Sequence, residues 1–185
     1  MVWACDDADM SAYSTPHAVK QTPCPGCGAV APDVAGGETH RYMLASTGCW
    51  ARFGDILARE YQNPALMHIH PLTVDAYAVQ HPGAPGPQST QSVNVHLASL
   101  YAHFQQQVPL QSLADVRRRV VTAKSTFRWL SPPPHAHTVT VNDVWPIQSE
   151  EGHVAAVRRW ASAAFAHWRD YHDEIQELLQ RSPIS

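Results

Sequence analysis

Apolar positions along this chain fall into several stretches at helical spacing, separated by prolines. From Cys49 onward, "GCWARFGDILAREYQ" places Trp50, Phe53, Ile56, Leu57 and Tyr61 on one face, mostly at steps of three and four residues. Asn63-Pro64 ends that pattern. After "MHIHP", the segment "LTVDAYAVQ" reads as a short helix with Thr73 as its candidate N-cap, stopped soon after Gln80 by Pro82. "HPGAPGPQS" is a loop. Ser89 or Thr90 can cap the next helix, "TQSVNVHLASLYAHFQ", whose stripe is Val93, Leu97, Leu100 and Phe104. Pro109 opens a further segment in which Leu113, Val116 and Val120 repeat. "SPPPHAH" predicts an extended connector of polyproline character. "TVTV" then reads either as a short strand or as the approach to Asn142, a candidate cap for "DVW".

The longest seam is the last. Ser149 precedes Glu150 and Glu151, which suit a helix N-terminus. Val154, Val157, Ala161, Ala164, Trp168, Tyr171, Ile175 and Leu178 follow at alternating steps of three and four, predicting one continuous helix that ends before Pro183. Residues 1–21 lack such periodicity and are expected to be a loose arm. Residues 22–48 are rich in Gly and Pro and predict a loop-rich module with at most short strands. The expected fold is therefore mainly α. A bundle of four to five helices over 49–185 carries a small N-terminal Cys/His metal knuckle over 22–48, and 22–185 form a single domain.

Composition narrows the function. A chain of 185 residues can bury a core without disulfide help. Its net charge of −3 gives no electrostatic reason to bind nucleic acid. The one basic run, "RRR" at 117–119, is expected to be a solvated helix face. No segment approaches the ~18 consecutive apolar residues of a membrane span. The acidic start, "MVWACDDADM", is unlike a signal peptide. A cytoplasmic protein without membrane partners is expected. In that compartment the four cysteines read as ligands or free thiols rather than a disulfide framework. The sequence has no H-E-x-x-H, G-x-S-x-G, Walker loop or G-x-G-x-x-G, which argues against the commonest hydrolase and nucleotide-binding classes. It names no substrate, protein partner or oligomeric state.

The chemistry concentrates in "TPCPGCGAV". Cys24 and Cys27 form a C-x-x-C turn, with Gly26 and Gly28 permitting both sulfurs to face inward. A redox pair of the thioredoxin kind needs a strand before it and a helix after it, and Pro23, Pro25 and "GAVAPDVAGGE" do not supply them. With His40 and Cys49 the pattern becomes C-x2-C-x12-H-x8-C, the donor set of a closed Zn2+ site. Cys49 lies at a helix start, where the macrodipole favours a thiolate. His81, Cys5 or a water molecule could stand in for His40. With water the site would be open and could do chemistry.

A second group of polar residues follows: Asp75, Tyr77, Gln80 and His81. The plain reading is a capping histidine and a solvated aspartate; the reactive one makes Asp75, His81 and His96 ligands or general bases beside the ion. His96 and His103 share a helix side but stand about 10.5 Å apart along its axis, too far to hold one ion. Each would pair with a residue elsewhere. His153 and His167 flank the last seam, and the H-x-H pairs of "MHIHP" and "HAH" fall in loops, where exposure is the ordinary outcome.

The segments "CPGCGA", "HRY…GCWA", "LTVDAYAVQHPG", "QSVNVHL" and "VTVNDVW…VRRWA" together resemble an uncharacterised bacterial family, a domain of unknown function, over roughly residues 24–179. The resemblance implies no particular reaction. It implies that Cys24, Cys27, His40, Cys49, Asp75, Gln80, His81 and His96 belong to the family's motif pattern. The family's tail tends to carry Trp where this chain has Phe165, so no role is transferred to that position. The function expected is a small zinc-binding protein whose Cys/His site is structural. A metal-dependent, hydrolase-like enzyme using Asp75, His81 and His96 near the ion is one alternative. A thiol-based metal or redox sensor built on Cys24, Cys27 and Cys49 is the other.

Overall fold

The computed structural model describes residues 20–134 and 136–182. Of the expected N-terminal arm only Lys20 and Gln21 fall among them, and Gln21 already belongs to a strand; Cys5 lies outside. Strands β1 (Gln21–Pro23) and β2 (Val30–Pro32) pair antiparallel, with Thr22 opposite Ala31. Seven α-helices follow among the described residues: α1 (Thr47–Gln62), α2 (His70–Gln80), α3 (Pro87–Phe104), α4 (Leu113–Thr122), α5 (Val141–Val144), α6 (Glu150–His167) and α7 (His172–Arg181). The fold is mainly helical, as the periodicity predicts, with more helices than expected. The extra ones are the single turn α5 and the division of the last seam.

That seam is interrupted at Trp168. Residues Arg169–Tyr171 form a 3-10 turn before α7 begins. Trp168 is fully buried and donates its Nε1 proton to Val79 O on α2 (3.1 Å). His172 Nε2 bonds Phe165 O (3.2 Å), and its ring stacks on Phe165. The apolar spacing survives the break, because a 3-10 turn still returns the next residue to the same side after three steps.

α2 sits at the centre, packed by α1, α3 and α6. A helix apolar nearly all round is a buried one, and from Leu72 to Gln80 only Val74 is less than fully enclosed. It starts at His70 with Pro71 in its first turn, a position that needs no amide proton. Thr73 is therefore no cap. It lies inside the helix and donates to Glu60 Oε1 (2.5 Å).

α1 starts where Ser46 Oγ accepts from Cys49 N (3.2 Å), a cap contributing about 1 kcal/mol. Its inward face runs Cys49, Phe53, Ile56, Glu60, whereas Tyr61 is 63% exposed. Tyr61 is five residues beyond Ile56, which turns it well away from the core. Glu60 takes the inward position because its charge is satisfied: Thr73 and His153 bind Oε1 and His70 binds Oε2 at 2.7 Å. "TVTV" forms no strand. Thr140 caps α5 in a reciprocal box with Asp143, and Asn142 lies one step inside. No helix among the described residues is long and apolar enough to cross a membrane.

Candidate metal centre

Cys24, Cys27, Cys49 and His81 meet at one point. Their four donor atoms all lie within 4.8 Å of one another, and all four residues are buried. Three elements converge to place them. Cys24 and Cys27 come from the turn of the β1–β2 hairpin, Cys49 from the first turn of α1, and His81 from the C-terminal end of α2.

The hairpin turn is shaped by its own backbone. Cys24 N donates to Ala29 O (2.9 Å) and Gly28 N to Cys24 O (2.8 Å). Gly28 has φ +78°, a left-handed conformation that a residue with a Cβ adopts only under strain. Gly26 is needed for a different reason, a close approach. A Cβ there would lie 2.3 Å from Leu44 O and 2.6 Å from His81 Cδ2. The turn can press against the end of α2 only because Gly26 has no side chain.

His81 is oriented before any ion is considered. Its Nδ1 donates to Tyr77 O one turn back (2.7 Å), which leaves Nε2 as the lone-pair nitrogen facing the sulfurs. Its ring stacks on Tyr77 at 3.9 Å. Tyr77 stacks in turn on Phe53 at 3.8 Å, and its hydroxyl lies 3.6 Å from Cys49 Sγ. The ring is thus clamped between backbone and aromatic neighbours, the kind of outer-shell support that fixes a ligand.

Three of the six donor separations fit the edges of a tetrahedral shell. Bond lengths of about 2.3 Å to sulfur and about 2.0–2.1 Å to nitrogen give edges of about 3.8 Å between sulfurs and about 3.5 Å from sulfur to nitrogen. Cys27 Sγ to Cys49 Sγ is 3.7 Å, and His81 Nε2 is 3.4 Å from both Cys24 Sγ and Cys49 Sγ. None of the three cysteines is in a disulfide. Hydrogen bonds from Cys27 and then Cys49 hold Cys24 far below the usual thiol range. The same contact with Cys24 pushes Cys27 up to about 12 and Cys49 higher still. Three thiols on one point cannot all ionise alone, and a divalent cation removes that conflict.

His40 is not in the group. Its ring packs edge-on against Tyr42 at 4.4 Å and lies 5.4 Å from Trp50. His81, fifty-four residues from Cys27, takes the expected place of His40 at the three thiols. A linear reading favours the nearer histidine; the meeting of α2 with the hairpin favours the farther one.

Asp75 and His96 are brought together, but in a different network from His81. Asp75 is fully buried, not solvated; it accepts from His96 Nδ1 (2.6 Å) and from Arg117 Nη1 at both oxygens (2.9 and 3.0 Å). Arg117 is thus drawn out of the expected solvated face to neutralise a buried carboxylate, while Arg118 remains exposed. Among the described residues no hydrogen bond links this network to the thiol group. His103 Nδ1 bonds Val108 O (2.9 Å). Gln80 ties Val139 O to Trp160, and so braces the residue before His81.

Sequence reasoning passes over Glu60, places His153 only beside the last seam, and reads Arg117 as solvated, so it misses the buried role of all three. Two of them had a signal: Glu60 is four residues from Ile56 and Arg117 four from Leu113, each at core spacing. No curated protein and no solved structure matches the chain. A family model does match. It covers residues 22–169, a stretch that holds all four members of the buried group, and the chain belongs to that family of unknown function (DUF5946).

Proposed function

We propose that Cys24, Cys27, Cys49 and His81 bind one Zn2+ ion whose task is structural. The observation that carries this reading is the donor geometry: three of the six separations match the edges of a tetrahedral shell of three sulfurs and one nitrogen, and all six fall within 4.8 Å. Four protein donors complete that shell, so no coordination position is left for a substrate or a reactive water. The ion would join the hairpin, the start of α1 and the end of α2. The hairpin has little apolar area of its own, so the metal's binding free energy is folding free energy for it.

The hydrolase-like alternative draws no support from the geometry, because Asp75 and His96 are tied to Arg117 rather than to the thiol group. The sensor alternative keeps one supporting feature, three free thiols at contact distance, but all three are buried from an oxidant. The test is thermal unfolding with and without a zinc chelator. A metal held at a thousand times its Kd stabilises by about 4 kcal/mol, which in a chain of this size is a Tm difference of about 8–16 °C. Unchanged Tm in a metal-free sample would remove the structural role.

A further inference from the structure

A second pair of imidazoles lies just outside the buried group. His137 ends the proline-rich connector, and His167 is the last residue of α6. Their ring centroids are 4.1 Å apart with a 41° tilt. Both line a cavity of about 100 Å3 whose walls include Gly26, between the two hairpin cysteines, and Gln80, beside His81. We propose that His137 and His167 form a second metal site, which takes a borderline divalent ion of the nickel type in exchange with solvent.

The spacing suits two ligands of one ion. A metal–nitrogen bond of about 2.0–2.1 Å puts the centroid of an imidazole about 3.2 Å from the metal. Two such rings at right angles about the metal have centroids about 4.5 Å apart, so small side-chain rotations bring this pair into place. The cavity has room for the water molecules that complete the shell. Both rings are half-buried, open to exchange where the thiol group is closed.

Gln80 and Trp168 supply the other polar side chains on the wall. Gln80 bonds Val139 O and Trp160, and Trp168 bonds Val79 O. The imidazoles are the groups there with metal-ligand chemistry. Imidazole is a good donor to nickel and copper as well as to zinc, and two imidazoles with water favour an ion that accepts more than four ligands.

The experiment titrates the full chain, as purified, with Ni2+ under calorimetry and near-ultraviolet absorbance. One Ni2+ per chain is expected, without the sulfur-to-nickel charge-transfer band that thiolate binding would give. His137→Ala and His167→Ala should each weaken it by about tenfold or more and leave the zinc content unchanged. His68→Ala, an exposed histidine in another loop, should have no effect. In the wild type, paramagnetic broadening by Ni2+ should centre on the His137 and His167 resonances, a readout that needs no variant. No Ni2+ binding, binding that survives both substitutions, broadening centred elsewhere, or a charge-transfer band would overturn the proposal. The buried site is judged separately by the zinc content, so the two readings can fail independently.

Discussion

His81 Nδ1 donates to the carbonyl oxygen of Tyr77 at 2.7 Å, and this bond aims Nε2 at Cys24 and Cys49. The carbonyl is one of those left without a partner at a helix C-terminus. One bond therefore closes α2 and sets the histidine's tautomer. His81→Ala removes a donor and the cap together. It is expected to lower zinc affinity by more than a hundredfold, measured by competition with a chromophoric chelator; His81→Gln should not restore it. Retention of wild-type affinity in His81→Ala would place the fourth ligand elsewhere.

Tyr77 supports the same centre from outside. Its hydroxyl lies 3.6 Å from Cys49 Sγ, and burial pushes its own ionisation well above the usual range, so it stays protonated and able to donate. Tyr77→Phe keeps both ring stacks and deletes that donor. Zinc should still bind, with affinity reduced by about tenfold. Wild-type affinity in Tyr77→Phe, with the loss appearing only in Tyr77→Leu, would mean that stacking, not the hydroxyl, is what matters.

Gly26 tests the close approach. Gly26→Ala puts a Cβ against Leu44 O and His81 Cδ2, and backbone cannot step aside as a side-chain tip can. The hairpin is expected to lift off the end of α2, with zinc content falling well below one per chain while far-ultraviolet dichroism from the bundle persists. Full zinc content in this variant would show that the contact is not needed.

Glu60 gives a pH dependence. Burial pushes its carboxyl up, but bonds from His153, His70 and Thr73 outweigh burial and hold it below the ordinary value of 4.5. A lowered folded-state pKa adds stability that is complete above the unfolded value and is lost as pH falls through the folded one. Wild type should therefore exceed Glu60→Gln in unfolding free energy at pH 7, and the gap should narrow progressively as the pH falls below the ordinary value of 4.5. Urea unfolding of both across that range measures it. A constant gap would mean that the charge contributes nothing.

Much of the fold was legible, and so were three of the four residues at the centre. Spacing of three and four located α1, α3 and the last seam, because burial of one helix face leaves that trace. The C-x-x-C turn and Cys49 were local features, and they read correctly as a group. His81 was harder to choose over His40. Its place depends on where α2 ends in space, and no spacing along the chain encodes that. The break at Trp168 was hidden for another reason: a 3-10 turn keeps apolar residues on one side, so the seam reads as unbroken. The solvated reading of Arg117, and the solvated one of the two readings of Asp75, fail because a buried ion pair leaves no mark unless both partners are placed.

The Asp75 network tests whether that pair is scaffold. Arg117→Ala leaves a buried carboxylate with His96 as its remaining partner, and should cost about 3–5 kcal/mol. Zinc content should not change. A fall in bound zinc would couple this network to the metal centre and revive a catalytic reading for Asp75 and His96.

Titration of metal-free protein with Co2+ is the most direct measurement, because the Co2+ spectrum reports ligand type and geometry together. One Co2+ per chain is expected, with intense tetrahedral d–d bands and a sulfur-to-cobalt charge-transfer band. That spectrum should persist in His40→Ala and collapse in His81→Ala and Cys49→Ser. A weak six-coordinate spectrum, or one lost in His40→Ala and kept in His81→Ala, would contradict a closed centre of three cysteines and His81.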